Sequence, residues 1–346
     1  MLNYVEVPSN QNRTPSLPGQ PAESRTELDV DIRHFLIAKR QVGRVSSTIQ
    51  KYSWHLDRWV AWMTKREVGC LADLTRPLLR EWGAELYDLE CKVGPKAKTD
   101  EPRGWAPATI RQAVAVIRSF LGWCYSERLI SDDLAEALVL PPVKDRIQRT
   151  LSTEEIQTLL KTCDLNSSKG IRDAAIVSLL GDSGLRSHEL RRLTLNNVHF
   201  GVKVDDTVVN IAVVIGKGGN EEIAFFGKKT AQRVQAWRKT RRDIPGVDNL
   251  FISIGGSTLG QPFTRDGLRT TMVKLGKKAG IAGVTPHSLR RSFACIADEA
   301  GATTRKIQVW GRWKDIKMVE LYTRSLKAGK QYNKYSPMDY IDGLDD

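Results

Sequence analysis

Residues 285–291 of this 346-residue chain read TPHSLRR, and this stretch predicts both a helix start and a chemical site. Thr285 is a favourable N-cap, and Pro286 suits the first helical position because its missing N–H needs no partner there. His287 and Arg290 then lie three residues apart, on one face of the first turn. An imidazole can move a proton near neutral pH, and a guanidinium can neutralise a phosphate oxygen. The pattern is typical of phosphoryl transfer, although a capped helix with a chance histidine fits it equally well.

A second predicted helix start, at residues 184–190 (GLRSHEL), puts Arg186 where an anion is favoured. Backbone N–H groups at a helix N-terminus attract negative charge, and a guanidinium fork suits two phosphate oxygens. Glu189 lies three residues further along and can brace a neighbouring catalytic side chain. Taken alone the pattern is weak, because an arginine at a helix start is more often a solvated surface charge.

The only clearly β-rich stretch of the sequence, residues 198–226, contains a hairpin tip that reads GKGG at 216–219. Glycines let a turn approach a ligand backbone closely. Lys217 at this tip can reach a DNA groove and deliver a proton. An ordinary exposed turn lysine fits the same residues.

Two aromatic residues stand out in residues 311–324, which read GRWKDIKMVELYTR. Trp313 has an indole N–H that can donate a hydrogen bond while the ring packs. Tyr322, nine residues later, has a hydroxyl that is a poor nucleophile unless cations lie nearby. Aromatic residues at this spacing are, in isolation, more often part of a core. The arginines that can supply the positive charge are Arg186, Arg290 and Arg324.

Composition limits the class of protein. Lys and Arg number 53 against 40 Asp and Glu, and +10 of the net charge of +13 lies after residue 150. A basic excess in one half suggests a polyanion partner, most often nucleic acid. The 41% hydrophobic and 27% charged content excludes wholesale disorder, and no apolar run is long enough to span a membrane. Five scattered cysteines argue for reduced thiols and against a zinc module or a disulfide framework.

Hydrophobic spacing divides the chain into two regions. Residues 27–140 predict a helical bundle, with one helix at 74–89 and a short one at 132–138. Residues 151–328 predict a mainly α domain with a small antiparallel β-sheet, which opens at the capping box of residues 152–155. The other segments are a flexible arm without a secretion signal at 1–26, a basic loop at 91–106, an extended linker at 141–150 and a tail at 329–346.

The order of the candidate residues, Arg, Lys, His-x-x-Arg, Trp and Tyr between positions 186 and 322, resembles the tyrosine recombinase (phage integrase) family. The resemblance covers residues 28–324 and extends to the Cre- and Xer-like site-specific recombinases. It is specific in GLRSHEL, the GKG hairpin, HSLRRSFA and the GRW…ELYTR segment, and loose in the first region. It implies a helical, SAM-like core-binding domain followed by a catalytic domain, the two forming a C-shaped clamp on DNA.

The resemblance also implies roles for the matched residues. Arg186 and Arg290 would clamp the scissile phosphate, and Lys217 would protonate the leaving 5′ oxygen. His287 would act in proton transfer and phosphate contact. Glu189 matches an acidic residue that is common after the first arginine of the family.

The family implies that Tyr322 attacks the phosphate and forms a 3′-phosphotyrosyl link. Trp313 would hydrogen-bond the phosphate at a place where many members have His, and this alignment keeps the nine-residue step to the tyrosine. Three residues depart from the family pattern: Arg291 stands where His is frequent, His188 stands where small residues are usual, and Arg312 shifts the Gly-His register by one. The rival nucleophiles are Tyr332, Tyr335 and Tyr340, whose polar context suits a tail.

Other basic residues are candidates for DNA contacts outside the catalytic set. Those in the 91–106 loop fit solvated surface charge equally well. If the loop touches DNA, it does so through the phosphate backbone, where lysine and arginine bind without reading the sequence. The candidates are Arg291, Arg312, Arg324, Lys92, Lys96, Lys98 and Arg103.

The family implies a site-specific DNA recombinase that acts through a Holliday junction. Its partner would be a double-stranded DNA recombination site, bound by a homotetramer that forms from a monomer or weak dimer in the cytoplasm, in association with the nucleoid. No metal or other cofactor is expected, because arginines offset the phosphoryl charge and a phosphotyrosine conserves the bond energy without ATP. The open alternatives are a type IB topoisomerase-like enzyme and an inactive DNA-binding relative. The target site, the accessory proteins and the biological role are not encoded in these motifs.

Overall fold

The computed structural model divides the chain into two compact units, Met1–Asp145 and Arg146–Asp346. The predicted arm, most of the 91–106 loop, part of the linker, Lys217 and the tail beyond residue 330 lie outside the described residues. Side chains are described except at 90–91, 103–104 and 324–330. The described stretches are 27–88, 90–91, 103–143, 148–216 and 219–330.

Helices make up most of the described part of the first unit. The third helix (Arg76–Glu85) is shorter than the predicted helix at 74–89, because Thr75 caps its first turn through the N–H of Leu78 and the chain leaves the helix after Glu85. The predicted helix at 132–138 is a single 3-10 turn, Leu134–Ala137. The elements are α1 (Glu27–Gln41), α2 (Ser46–Thr64), α3 (Arg76–Glu85), the paired strands β1 (Glu90–Cys91) and β2 (Arg103–Gly104), and α4 (Pro107–Ser126).

The core of the first unit is aromatic. Phe35, Trp59 and Phe120 are each 0% exposed. The Phe120 ring lies edge-on to the other two, with centroids 5.4 Å from Phe35 and 5.8 Å from Trp59. Edge-to-face packing at this distance adds to the large area that each ring buries, so these contacts hold α1, α2 and α4 together.

The second unit begins with the predicted capping box. The Ser152 and Glu155 side chains each accept a hydrogen bond from the backbone N–H of the other residue, at the start of the first helix of this unit. The helices of its described part are α5 (Thr153–Thr162), α6 (Ser168–Ser183), α7 (Ser187–Arg192), α8 (Lys228–Thr240), α9 (Arg265–Lys278), α10 (Pro286–Glu299), α11 (Thr304–Gly311) and α12 (Lys317–Lys330). The strands are β3 (Val198–Val204), β4 (Thr207–Ile215) and β5 (Glu221–Phe226).

The core of the second unit forms around α6. This helix buries residues on every face, which is typical of a helix at the centre of a domain. The three strands form an antiparallel sheet in the order β3-β4-β5, and the row of Ala212, Val214, Ala224 and Phe226 faces the core. The predicted fold, mainly helical with a small antiparallel sheet, is confirmed. None of the described helices is long and apolar enough to cross a membrane.

A smaller apolar cluster joins the last three helices. Its buried members are three residues of α10, one of α11 and two of α12: Phe293, Ala294, Cys295, Ile307, Val319 and Tyr322. α10 also packs against α6. The first turn of α10 therefore lies beside the C-terminal end of α6, where the arginine, histidine and tyrosine side chains predicted from the sequence come together.

Candidate active site

Arg290 lies at the centre of the site and links two helix ends. Only 3% of this residue is exposed. Its Nη1 donates to the carbonyl oxygen of Gly184, and its Nη2 donates to that of Gly311 at 2.6 Å. Both carbonyls end helices, where unpaired C=O groups carry partial negative charge. Burial, followed by the Arg186 charge, lowers the pKa of Arg290 to about 9, so the guanidinium stays charged at neutral pH.

Arg186 is held by Glu189 in the first turn of α7. The backbone N–H of Arg186 donates to Glu189 Oε2 at 2.8 Å, and its Nη1 donates to Oε1 at 2.5 Å. Its Nη2 donates to the carbonyl of Arg312 at 2.7 Å. These bonds fix the guanidinium while 27% of the side chain stays exposed, so Arg186 is both oriented and open to an anion.

The carboxylate of Glu189 is completely buried and has two arginine partners. Besides Arg186, it accepts from Arg312 Nη2 at 3.0 Å. Burial by itself would raise the pKa of Glu189, but Arg312, the N–H of Arg186 and the Arg186 guanidinium together hold that pKa below its ordinary value. Glu189 is therefore ionised at neutral pH and is the common brace of two arginines.

Arg312 does not present its guanidinium to solvent as a DNA contact would require. Only 6% of its side chain is exposed. Besides its bond to Glu189, Nη1 donates to the carbonyls of Trp310 at 2.9 Å and Ser183 at 3.3 Å. Its backbone has a φ of 56°, which ends α11 and turns the side chain inward. This placement differs from the predicted DNA contact, and it makes Arg312 part of the support of the site.

Arg291 differs from its predicted role in the same way. It is 7% exposed, and its Nε and Nη2 donate to the carbonyl of Arg149 at 3.0 and 2.7 Å. His287, on the first turn of α10, is exposed. Partial desolvation, followed by the Arg291 and Arg290 charges, lowers the pKa of His287, so its imidazole is neutral at pH 7 and can accept a proton.

Trp313 lies between the central arginine and the tyrosine. The Arg290 guanidinium carbon is 4.5 Å from the centroid of a Trp313 ring. The Trp313 ring stacks on Phe293 at 6.0 Å, and it meets the Tyr322 ring at 60° with centroids 6.0 Å apart. Burial raises the pKa of Tyr322, and the Arg291 and Arg290 charges offset part of that rise. The phenol is therefore protonated at neutral pH and needs a base before it can attack.

The close approach of Trp313 depends on Gly311, and this leads to a prediction. A Cβ at Gly311 would lie 1.7 Å from Trp313 Cζ3. Alanine favours a helix over glycine by about 0.5–1 kcal/mol, but overpacking costs about 1–3 kcal/mol. We expect Gly311→Ala to destabilise the second unit by about 1–2 kcal/mol and to displace the indole, as measured by urea unfolding.

The matched control for Gly311→Ala is Gly122→Ala in α4, where a Cβ would meet nothing within 4 Å. There we expect stabilisation by about 0.5–1 kcal/mol, the ordinary helix preference. If both substitutions stabilised the protein equally, the packing of the indole on Gly311 would be wrong.

The site collects five of the six predicted catalytic residues within the described part of the chain. Lys217 lies outside the described residues, as do Lys92, Lys96 and Lys98, and the side chains of Arg103 and Arg324 are not described. One charged residue in the site was not predicted. Glu222 lies on β5, with its carboxylate 3.7 Å from Arg186 Nη1. Its position could have been read from the strand alternation, since Glu222, Ala224 and Phe226 fall on one face. The five collected residues are Arg186, His287, Arg290, Trp313 and Tyr322.

Comparison with known proteins identifies the class. Residues 149–328 match the family model described as the phage integrase family. The tyrosine recombinase XerD of Staphylococcus aureus is 28% identical over 324 residues, which cover 90% of this chain and 99% of that protein. XerD of Listeria monocytogenes is 29% identical over 320 residues, with the same two coverages, 90% and 99%. A crystal structure of XerH site-specific recombinase, bound to palindromic difH substrate as a post-cleavage complex, shares the fold, with a TM-score of 0.70 at 14% identity over 90% of this chain and 96% of that one.

The chain belongs to the phage integrase family, since the family model matches more than half of it. Its function is that of a site-specific tyrosine recombinase, an enzyme that breaks and rejoins DNA strands, as the sequence predicted. The residues that carry out each step are proposed below.

Proposed function

We propose that Arg186 and Arg290 bind the scissile phosphate of a DNA recombination site and that Tyr322 attacks its phosphorus. One observation carries this assignment: a buried, charged Arg290 stacks on Trp313, whose ring meets that of Tyr322, next to a partly exposed Arg186. A phosphodiester in this place would have two guanidiniums on its non-bridging oxygens and a hydroxyl nearby. Guanidiniums that are already oriented stabilise the charge that develops in the transition state without reorganising.

The proposed chemistry is one reversible exchange of phosphate bonds. Neutral His287 accepts the hydroxyl proton of Tyr322, and the phenolic oxygen forms a bond to phosphorus. The bond from phosphorus to the 5′ oxygen breaks, and Lys217 gives that oxygen a proton. The product is a 3′-phosphotyrosyl link and a free 5′ hydroxyl, and attack by a second 5′ hydroxyl reverses each step. The bond energy stays in the phosphotyrosine, so neither ATP nor a metal ion is expected to be required.

We propose that both units bind the same double-stranded DNA and that four copies synapse two sites and exchange strands through a Holliday junction. Support comes from the XerH structure, whose protein is bound to a DNA recombination substrate. The proposed DNA contacts outside the catalytic set are Lys92, Lys96, Lys98, Arg103 and Arg324. Arg291 and Arg312 are proposed instead to position the site. Residues 329–346 are proposed to dock on a neighbouring copy, and the enzyme is proposed to act in the cytoplasm with the nucleoid.

The product on DNA with two sites tests the proposed function. A supercoiled plasmid that carries two copies of the sequence flanking the gene is incubated with the protein in EDTA. We expect deletion or inversion between the two copies, and no change in a plasmid without them. Relaxation of any plasmid, with no recombinant, would favour a topoisomerase. Loss of all activity in EDTA would overturn the metal-free chemistry.

DNA binding is expected to weaken steeply with salt. Each lysine or arginine that neutralises a phosphate releases counterions, so about six to ten contacts lower the affinity about 10³–10⁵-fold between 50 and 200 mM salt. The net charge of +13 makes such a number of contacts reasonable. Fluorescence anisotropy with a labelled duplex measures the slope. A nearly flat response would contradict an extended contact with the DNA backbone.

A further inference from the structure

The β4–β5 hairpin brings a carboxylate into the active site. Residues of β5 alternate, with Glu221 exposed, Glu222 half-buried and Ala224 and Phe226 buried. Glu222 pairs with Val214, which is itself 3% exposed, so it takes an inward position of the sheet. A carboxylate in an inward, otherwise apolar row is stable only if it has a charged or hydrogen-bonding partner.

The partners of Glu222 are two arginines of the site. Its Oε2 lies 3.7 Å from Arg186 Nη1 and 3.6 Å from Arg312 Nε. Both distances are too long for a hydrogen bond. Glu222 Oε2 and Arg312 Nε are buried, and neither has a hydrogen-bond partner. The Glu222 carboxylate therefore offsets the charge of the two arginines, but Glu222 Oε2 and Arg312 Nε are left without hydrogen-bond partners.

Glu189 makes full hydrogen bonds to the same two arginines, and its geometry can be compared with that of Glu222. Its two oxygens accept hydrogen bonds at 2.5, 2.8 and 3.0 Å. Glu222 has none of these bonds, although it is close to the same two guanidiniums. An unmade hydrogen bond on a buried ion costs free energy. A ligand oxygen that reached Arg186 with good geometry would therefore replace the Glu222 contact at little cost.

Glu222 also lies against Gly216, the residue that follows β4. A Cβ at Gly216 would lie 2.6 Å from Glu222 Oε1, so the absence of a side chain there makes room for the carboxylate. Gly216 N–H donates to the carbonyl of Asn220 at 2.8 Å, which closes the turn. The carboxylate is thus placed between the arginines and the residue that precedes Lys217 in the chain.

We propose that Glu222 is a positioning residue that takes the place of the phosphate in the DNA-free protein. Its carboxylate lies beside Arg186 and Arg312, and an incoming phosphate that binds Arg186 displaces it. Glu222 thereby keeps the arginines oriented before DNA arrives and keeps weakly binding anions out. This inference rests on the proposed phosphate-binding role of Arg186 and adds the competing side chain.

Inorganic phosphate at constant ionic strength is the probe, and the thermal unfolding midpoint is the readout. A ligand that binds the folded state alone raises the midpoint according to its dissociation constant. Glu222→Gln removes a like charge from beside the phosphate position. A charge at this range shifts a charge equilibrium by about tenfold to a thousandfold, so the variant should bind phosphate about tenfold more tightly than wild type. Glu221→Gln removes the same charge from the exposed face of the same strand and should bind within about twofold of wild type.

Two results would overturn the proposal. One is phosphate affinity in Glu222→Gln equal to or weaker than that of wild type. The other is a gain that survives in Glu222→Gln/Arg186→Gln, because the anion would then bind elsewhere. If Glu222 only supported the fold, Glu222→Gln would bind phosphate more weakly than wild type and would not gain phosphate affinity. The titration needs no DNA, so a recombinase that failed on every DNA substrate would leave this test intact, and an active recombinase with unchanged phosphate affinity would refute only the role of Glu222.

Discussion

Tyr322→Phe is expected to abolish covalent attachment to DNA, with a loss of about a thousandfold or more in the rate of adduct formation. The substitution removes only the phenolic oxygen. The ring keeps its place against Trp313 and in the apolar cluster of α10, α11 and α12, so folding and DNA affinity should stay close to those of wild type. The adduct is measured on nicked duplexes in EDTA after a detergent quench, and DNA binding is measured in parallel.

The controls for this prediction are Tyr332→Phe, Tyr335→Phe and Tyr340→Phe. Each removes a tyrosine hydroxyl from the C-terminal segment, and each variant should still form the adduct. If the adduct persisted in Tyr322→Phe and vanished in one of these three, the nucleophile would be that other tyrosine. If wild type bound the DNA tightly and formed no adduct on any substrate containing the true site, the chain would be a DNA-binding relative without catalysis.

Glu189→Ala is expected to destabilise the second unit by about 3–5 kcal/mol. The carboxylate is 0% exposed and is the hydrogen-bonded partner of Arg312, whose side chain is 6% exposed. Removal of one member of a buried ion pair leaves the other charge uncompensated, which is among the most costly single changes in a protein. Arg186 would lose its two bonds to the carboxylate as well, so phosphate binding should fail together with stability. Urea unfolding of the full chain measures the first effect, and phosphate titration measures the second.

The matched control is Glu320→Ala, which removes an exposed glutamate from α12 and should change stability by less than about 0.5 kcal/mol. The pH dependence gives a second check. Because the pKa of Glu189 is lower in the folded protein, its stabilisation is present above its ordinary value of 4.5 and is lost as the pH falls below it toward the folded pKa. Glu189→Gln should lack this part of the acid-induced loss. Equal unfolding free energies for Glu189→Ala and wild type would refute the bracing role.

Features that depend on neighbouring residues were predicted well. The caps at Thr285 and Ser152 formed as expected, because a cap joins groups three residues apart. Trp313 and Tyr322, which were matched to the family by their nine-residue spacing, meet in the structure with ring centroids 6.0 Å apart. The predicted third helix was too long, because spacing alone does not show where the chain leaves a helix.

The long-range pairings were not predictable in the same way. Arg312 was interpreted as a DNA contact, yet its partner Glu189 lies 123 residues earlier in the chain. Arg291 binds the carbonyl of Arg149, which is 142 residues away. In the sequence, an arginine next to a motif looks the same whether its side chain faces solvent or a buried carboxylate. Burial decides between the two, and burial is a property of packing.

By itself, the sequence determined the mainly helical fold with its small sheet and the set of residues with the right chemistry, because periodicity, caps and residue type are local. Only the tertiary structure decided which arginine stays partly exposed and which ones are buried. The ends of α6 and α11 and the strand β5 converge there, and each guanidinium is used by whichever carbonyl or carboxylate the packing brings within reach. Arg186 remains partly exposed in that arrangement, and Arg312 is buried against Glu189. Glu222 lies close to both arginines, a position that its place in the chain alone did not reveal.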